Sequence, residues 1–293
     1  MIDKAKTKIL CLGTANFGMP YGISRSEDDL GSVKVREILD EACAEGFSHI
    51  DTATAYVNSE QILGDISPKK SPMSITTKLS ASECVSAKSI VQAVTQSLHR
   101  TKQSRFWSVL LHDAKVLTSG NTGEVIRGLD DIVKLGLTEH VGLAAYDELE
   151  IIEAKAIVPA MNVFHIADNV CDQRLKQSMR LEILASEGNK IFIRSIFLQG
   201  LLLMDPNQLP KKVESAYLGL RKLEEFCERQ NVSILELCAG YAKSIAWSSG
   251  FIIGAGSSKQ VREISNAFKC ATTVDYSSAP KLDDWILDPR NWS

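Results

Sequence analysis

Residues 35–51, VREILDEACAEGFSHID, contain the unit that decides the fold. Apolar residues from Val35 to Cys43 recur at the i, i+3, i+4, i+7 and i+8 spacing of one helix face. Gly46 is a helix stop signal, and the run 47–51 after it has the length and composition of a buried strand. The segment therefore predicts a helix that leads directly into a strand.

The same alternation recurs along the whole chain. Short apolar or β-branched runs predict strands at 8–13, 47–51, 73–78, 106–112, 140–143, 160–164, 190–196 and 251–254. Further helical stripes begin at Ala87, Val125, Ile234 and Val261, and Ser233 with Glu236 forms a capping box before the third of these. Strands alternating with helices indicate βαβ units and a parallel sheet. Eight units favour an α/β fold of the (β/α)8 TIM-barrel type.

The chain has one composition from end to end. No low-complexity linker divides it, and no GxGxxG follows the first strand, which argues against a Rossmann half. We therefore predict a single barrel domain over residues 1–293. Residues 270–293, with Trp285 and Trp292, have no periodicity, and we expect them to be a tail that packs on the barrel.

Charge and composition exclude several classes of protein. With 33 Lys+Arg against 36 Asp+Glu, a net charge of −3 and 44% hydrophobic residues, the chain lacks a strongly basic nucleic-acid footprint. No apolar run is long enough for a membrane span, and no signal-peptide pattern follows the first residues. The seven cysteines have irregular spacing and no CxxC pair, which indicates reduced, mostly buried thiols. These features predict a cytoplasmic protein with no metal site.

Four polar residues stand at or just after the carboxyl ends of three successive predicted strands. Asp51, Lys78 and His112 close strands two, three and four, and Tyr56 lies in the loop after strand two. Active sites of (β/α)8 barrels lie at this end of the strands. Taken singly, each residue has an ordinary structural explanation, such as a helix cap, a surface charge or core packing. Their joint placement favours a common site.

The four groups make a coherent acid–base set. A tyrosine hydroxyl titrates near pH 10 and is a poor acid at neutral pH, and a neighbouring ammonium is expected to lower its pKa. An aspartate would keep that ammonium charged, and a histidine would orient a carbonyl oxygen. Such a set could deliver a proton to a carbonyl oxygen while a hydride reaches the carbon.

These residues stand in segments that resemble the aldo-keto reductase family, in particular its bacterial members. The resemblance runs from residue 8 to about 268, and its most specific part is GFSHIDTATAY at 46–56. The other matching segments are GTANFG at 13–18, TTK at 76–78, LLHD at 110–113, DQRL at 172–175, QGLL at 199–202 and the stretch 254–263.

The resemblance implies a reversible NAD(P)H-dependent reductase of a small carbonyl substrate. Tyr56 would be the general acid, Lys78 and Asp51 would tune it, and His112 would position the carbonyl. The implied cofactor-binding residues are Gly13, Thr14, Asp51, His165, Arg194, Gly200, Gly254, Gly256, Ser257, Ser258, Gln260 and Glu263.

The stretch 254–263 looks like the family's phosphate-binding turn, since small residues and a helix N-terminus suit a phosphate. Lys259 and Arg262 would be partners for a 2′-phosphate, Glu263 matches the residue that contacts adenine, and Gln260 replaces a frequent arginine. The expected cofactor is NADP(H), with NAD(H) possible.

The sequence departs from the family where the nicotinamide is held. Ala144 and Ala145 replace a Ser-Asn pair after strand five, His165 stands where a glutamine is usual, and Arg194 replaces a stacking aromatic. Arg194 would lie over the nicotinamide ring, meet an anionic substrate group or form a structural salt bridge. The acid–base half of the site is thus intact and the nicotinamide half is altered.

Three functions remain open from the sequence. The first is a working reductase. The second is a dinucleotide-binding sensor or regulatory barrel with little turnover, which the Ala144-Ala145 pair favours. The third is a lyase or isomerase with Lys78 as a Schiff-base amine, which Asp51 disfavours because a protonated amine is not a nucleophile. No long heptad repeat indicates an oligomer, so we expect a monomer. No nucleic-acid or membrane partner is expected.

Overall fold

The computed structural model describes residues 8–23, 30–66, 73–270 and 274–292. Residues 1–7, which bear on the signal-peptide prediction, and residues 271–273 and 293 of the predicted tail lie outside the described residues. Eight strands are present in these ranges: β1 Ile9–Gly13, β2 His49–Asp51, β3 Ser74–Leu79, β4 Phe106–Leu111, β5 Thr138–Ala145, β6 Val163–Ala167, β7 Lys190–Arg194 and β8 Gly250–Gly254.

The strands form one closed parallel barrel in sequence order, and β8 pairs with β1. This closure confirms the predicted (β/α)8 fold. The register aligns Gly13 of β1 with Asp51 of β2 and with Gly254 of β8. Because all strands run in one direction, their carboxyl ends and the loops that follow them gather at one mouth of the barrel.

Helices follow the strands along the chain, and the last two come after β8. They are α1 Ser32–Ala44, α2 Ser59–Ile66, α3 Ala87–Thr101, α4 Thr122–Lys134, α5 Glu148–Ile157, α6 Met179–Ser186, α7 Tyr217–Gln230, α8 Ile234–Ser244, α9 Ser258–Lys269 and α10 Asp284–Leu287. The predicted stripe of α1 is buried at Val35, Ile38, Leu39 and Ala42. The capping box of Ser233 and Glu236 is present at the start of α8.

Several strand boundaries differ from the prediction. β4 ends at Leu111, so His112 is the first residue after it, and β3 continues one residue beyond Lys78. β5 extends to Ala145, and β6 lies at Val163–Ala167 rather than 160–164. β7 ends at Arg194 rather than at 196, because Ser195 takes a left-handed backbone with φ of +62° that a strand cannot accommodate.

The described part of the tail lies against the loops of the barrel. The Leu282 amide donates to the Cys171 carbonyl at 3.2 Å, and Gln173 Nε2 donates to the Tyr276 carbonyl at 2.7 Å. Trp292 is buried, whereas Trp285 is half exposed. The single-domain organisation stays a prediction.

The cysteines are free thiols. Five of them are buried, and Cys43 and Cys270 are exposed. Within the described ranges, no helix combines the length and the apolar character needed to cross a bilayer.

Candidate active site

A buried ion pair lies at the centre of the mouth. Asp51 ends β2 and Lys78 lies near the end of β3, and both side chains are almost fully buried. Lys78 Nζ donates to Asp51 Oδ1 at 2.6 Å and to the Thr52 carbonyl at 2.6 Å. A buried charge needs such partners, because taking an ion out of water is costly unless it is paired and hydrogen-bonded. The pairing of Asp51 with Lys78 was expected, but the carbonyl of Thr52 was not.

Tyr56 and His112 stand next to this pair. Lys78 Nζ is 5.0 Å from the centroid of the Tyr56 ring, and the Tyr56 and His112 ring centroids are 6.1 Å apart in an edge-on arrangement. The four residues proposed from the sequence therefore meet at one mouth of the barrel.

The loop that carries Tyr56 is packed tightly against the loop after β1. A Cβ on Gly18 would come within 2.4 Å of the Ser59 amide nitrogen and 2.6 Å of the Tyr56 carbonyl oxygen, so only glycine fits there. The hydroxyl of Thr14 is fully buried and lies 3.1 Å from the Asp51 carbonyl and 2.7 Å from Ser59 Oγ. These contacts fix the position of Tyr56 relative to Asp51.

The electrostatics of Tyr56 differ from the expectation. Burial raises the pKa of Tyr56, and although the charge of Lys78 and a hydrogen bond donated by Lys78 lower that pKa, the result is still above the ordinary value. The expectation of a lowered pKa is therefore wrong for the protein without ligands, because desolvation of the phenol outweighs the ammonium. Tyr56 is a protonated phenol at neutral pH.

Lys78 remains a cation in this environment. Burial alone would lower its pKa, but the negative charge of Asp51, the potential phenolate of Tyr56 and the hydrogen bond that Lys78 donates to Asp51 raise it above the ordinary value. An amine held in this protonated state cannot attack a carbonyl, so the geometry disfavours the Schiff-base alternative.

His112 is a neutral imidazole. Burial, followed by the charges of Lys78 and Arg194, lowers its pKa to about 4. A neutral ring carries one N–H, which could donate to a carbonyl oxygen above Tyr56 without competing as an acid.

His165, which was predicted to bind the cofactor, lies on β6. Its side chain is buried, and its Nδ1 is 3.5 Å from Asp51 Oδ1. The ring also meets Phe192 edge-on, with centroids 5.6 Å apart. His165 is thus a neighbour of the Asp51 carboxylate, a contact that the sequence alone did not indicate.

The end of β5 carries two small apolar side chains. Ala144 and Ala145 are both buried at the end of β5. Arg194 Nη2 donates to the Ala145 carbonyl at 2.9 Å, and its Cζ lies 4.2 Å from the centroid of the Tyr146 ring. No carboxylate lies within salt-bridge distance of Arg194 among the described residues, so the structural salt bridge considered for it is absent there.

The turn between β8 and α9 fits a phosphate group. Gly254 is exposed, and no atom lies within 4 Å of the place where its Cβ would be. Ser257 caps α9, whose first turn carries no acidic residue, and the Gly256 amide donates to the neutral side-chain oxygen of Gln260 at 2.7 Å. Free amides and the positive end of a helix dipole favour an anion at this place. The residues present therefore fit the pyrophosphate part of a dinucleotide.

The remaining residues predicted to bind the cofactor lie on α9, at the end of β1 or after β7, and some of them form ion pairs. Arg262 is paired with Glu41, and Lys259 lies 3.7 Å from Glu263, which is itself half exposed. Gly13 aligns with Gly254 across the β1–β8 pair. Gly200 has a φ of +92° and ends a left-handed run after β7. Ser258 begins α9.

A sequence model of the Aldo/keto reductase family matches residues 9–283 of the chain. Among solved structures, PA4992 from Pseudomonas aeruginosa, assigned as an aldo-keto reductase, is 17% identical, with a TM-score of 0.67 over 88% of each chain. The thermostable aldo-keto reductase Tm1743, solved with the inhibitor epalrestat, is 19% identical, with a TM-score of 0.70 over 91% of this chain and 92% of its own. No curated protein matches the chain.

At these identities the two solved structures are evidence for the fold alone. The match to the family model extends from β1 to beyond α9, so it includes every strand of the barrel. Members of this family are oxidoreductases that generally use NAD(P)H and act on small carbonyl compounds. Because the family model matches nearly the whole chain, the protein belongs to the aldo/keto reductase family.

Proposed function

We propose that this protein reduces an aldehyde or ketone to an alcohol with NAD(P)H, in a reversible reaction. The observation that carries the proposal is the position of the Tyr56 phenol, next to the Lys78 ammonium and the His112 ring at the mouth of the barrel. A general acid must lie within reach of the oxygen that it protonates and must hold its proton at the working pH. Tyr56 meets the second condition because its pKa is raised by burial.

In this proposal the phenol of Tyr56 gives its proton to the carbonyl oxygen. When bound, a reduced dinucleotide would supply the hydride to the carbonyl carbon and be oxidised, and the product would be a neutral alcohol. The phenolate left on Tyr56 is stabilised by the Lys78 charge, and Asp51 keeps Lys78 protonated throughout. Solvent then returns a proton to Tyr56.

The neutral ring of His112 orients the substrate. Its N–H would donate to the same carbonyl oxygen and hold it beside the Tyr56 hydroxyl. Because the pKa of His112 is lowered to about 4, the ring does not take up the proton itself.

The cofactor that this account favours is NADP(H), with NAD(H) as the alternative. The turn from Gly254 to Ser257 would hold the pyrophosphate, and the exposed Lys259 at the start of α9 would meet a 2′-phosphate. Arg262 pairs closely with the mostly buried Glu41, whereas Lys259 is more exposed and pairs with Glu263 only at 3.7 Å, so Lys259 is the better candidate of the two.

A titration of the purified protein with NADPH and NADH, followed by protein fluorescence, tests the first half of the proposal. A panel of aldehydes and ketones is then added while the absorbance of the reduced cofactor is followed. We expect binding, tighter for NADPH, and turnover of at least one carbonyl compound. Absence of binding by both dinucleotides would contradict the proposal.

The pair Ala144 and Ala145 supports a second candidate function, a dinucleotide-binding sensor. Both side chains are buried and apolar where family members hold the nicotinamide amide. Each missing hydrogen bond removes about 0.5–1.5 kcal/mol of net binding free energy. Tight dinucleotide binding with no turnover on any carbonyl of the panel would favour the sensor over the reductase.

A further inference from the structure

Arg194 is a half-buried cation that faces the active site from the end of β7. Its guanidinium is held in place by the Ala145 carbonyl, at 2.9 Å, and by the ring of Tyr146, whose centroid is 4.2 Å from Cζ. Its charge acts on Tyr56, Asp51 and His112, which places it close to the proposed reacting atoms.

The ring of Tyr146 is held from two sides. Cζ of Arg290, from the tail, lies 3.7 Å from the centroid of the same ring. Two guanidinium groups this close to one ring cannot share a face, so Arg194 and Arg290 stack on opposite faces. This stack holds Arg194 in one orientation before any substrate binds.

Arg194 differs from the other cations near the mouth because it makes no direct salt bridge within the described ranges, although Asp51 and Asp288 feel its charge at longer range. Lys78 is paired with Asp51 at 2.6 Å, and Arg290 is paired with Asp288 at 2.6 Å. For Arg194, the partners recorded in the described ranges are the Ala145 carbonyl and Ser195 Oγ at 3.5 Å, both of which are uncharged. A guanidinium has five N–H donors, so several remain for a ligand.

We propose that Arg194 binds a carboxylate or phosphate group of the carbonyl substrate, and that the enzyme therefore selects carbonyl compounds that carry a negative charge. This inference rests on the proposed reductase function. An anion would give Arg194 the direct ion-pair partner that it lacks and would form the paired hydrogen bonds that suit a guanidinium fork. A neutral substrate would leave the half-buried guanidinium without a direct ion pair.

The test compares pairs of substrates that differ in charge. One pair is 4-carboxybenzaldehyde and its methyl ester, and the other is glyceraldehyde 3-phosphate and glyceraldehyde. We expect the wild-type kcat/KM to be at least tenfold higher for the charged member of one pair, and that pair identifies a carboxylate or a phosphate site. In Arg194→Gln the charged member should lose about 10- to 100-fold in kcat/KM, mainly through KM, and the neutral member less than threefold.

Two further variants make the comparison specific. Arg194→Lys keeps the charge but loses the fork, so part of the preference should remain. Arg127→Gln removes an exposed arginine of α4 that pairs with Glu124 and serves as the control. An equal loss for charged and neutral substrates in Arg194→Gln would show a structural role and overturn the inference. A selective loss of NADPH affinity would assign the anion to the cofactor and would overturn it too.

A binding measurement separates this inference from the proposed function. Calorimetry with 4-carboxybenzaldehyde and its methyl ester, and with the glyceraldehyde pair, compares wild type and Arg194→Gln without any turnover. One outcome is that no compound is reduced, but the charged member of a pair binds more tightly than the neutral one in the wild type and not in Arg194→Gln. That outcome would support the anion site and contradict the reductase proposal. If neither pair shows a charge preference in binding or turnover, the anion site is wrong.

Discussion

The protonation states of Tyr56 and His112 determine how the proposed reaction responds to pH. Burial raises the pKa of Tyr56 above its ordinary value near 10, and burial with nearby cations lowers the pKa of His112 to about 4. Reduction requires the protonated phenol, so its rate should be constant between pH 6 and 9 and fall as Tyr56 ionises at higher pH. A kcat/KM profile for carbonyl reduction tests this. A limb near pH 6.5 would indicate a titrating histidine and contradict the assignment.

The buried pair of Asp51 and Lys78 should be strongly coupled in stability. Lys78→Met leaves the Asp51 carboxylate buried without its cation, which costs about 3–5 kcal/mol in the free energy of unfolding. Asp51→Asn leaves the Lys78 ammonium buried without its carboxylate, which should lower the free energy of unfolding in the same way. The double variant should lose clearly less than the sum of the two single losses. Urea unfolding of the four proteins measures the coupling, and strictly additive losses would mean that the pair is not formed.

At the scale of the elements, the loops after β1 and β2 act as one unit that positions Tyr56. Gly18→Ala would place a methyl group within 3.0 Å of backbone atoms of Tyr56, Asn58 and Ser59, so the Tyr56 turn must move. We expect kcat to fall by at least about tenfold, since a displacement near 1 Å costs up to 100-fold, while NADPH affinity changes little.

The control for this variant is Gly123→Ala in α4. No atom lies within 4 Å of the place where its Cβ would be, so activity should remain near that of the wild type. Equal kcat values for Gly18→Ala and the wild type would show that the contact between the loops does not position Tyr56.

The elements that the sequence predicted well have simple patterns. The strands, and helices such as α1 and α4, show apolar runs or one continuous apolar face. The helices α2, α5, α6 and α7 were not identified as stripes. The buried faces of α5 and α6 are short, with Ile151 and Ala154 buried in α5, and α2 buries the polar Glu60 with hydrogen bonds to Thr77 and Ser97. In contrast, α7 has a regular apolar face with Leu220, Leu223 and Phe226 buried, which the sequence does contain.

In the candidate site, too, the sequence predicted only residues that a local pattern locates. Asp51, Tyr56, Lys78 and His112 were identifiable because each one borders a strand end that the pattern locates. The stack of Arg194, Tyr146 and Arg290 joins three segments that are distant in sequence, and the contact of His165 with Asp51 crosses the barrel interior. Neither has a local sequence signal. The raised pKa of Tyr56 could not be predicted either, because it depends on how much water the folded loops exclude.

At the scale of the whole molecule, a buried carboxyl group links the loop after β6 to α8. Asp168 Oδ2 accepts a hydrogen bond from the Tyr241 hydroxyl at 3.0 Å. Burial, followed by the charge of Asp172, raises the pKa of Asp168 from 3.8 to about 7. The folded protein therefore holds a proton that the unfolded chain releases above about pH 4. The resulting stability is fully present below about pH 4 and is lost as the pH rises to about 7.

Asp168→Asn should remove this pH dependence. Each unit of pKa difference corresponds to about 1.4 kcal/mol, so the effect reaches at most about 4 kcal/mol in the free energy of unfolding. Urea unfolding at pH 5 and pH 8 measures it. The variant should gain stability relative to the wild type as the pH rises, and an unchanged difference between the two pH values would contradict the buried-carboxyl account.

The convergence of four side chains at one barrel mouth is the central claim, and the rate of carbonyl reduction by Tyr56→Phe tests it most directly. A good substrate from the panel is used, with NADPH binding measured in parallel and Tyr217→Phe, a half-exposed tyrosine at the start of α7, as the control. We predict that kcat falls by about 10²- to 10⁴-fold in Tyr56→Phe, with NADPH affinity retained. The control should keep wild-type activity. Wild-type turnover by Tyr56→Phe would show that the proton comes from elsewhere.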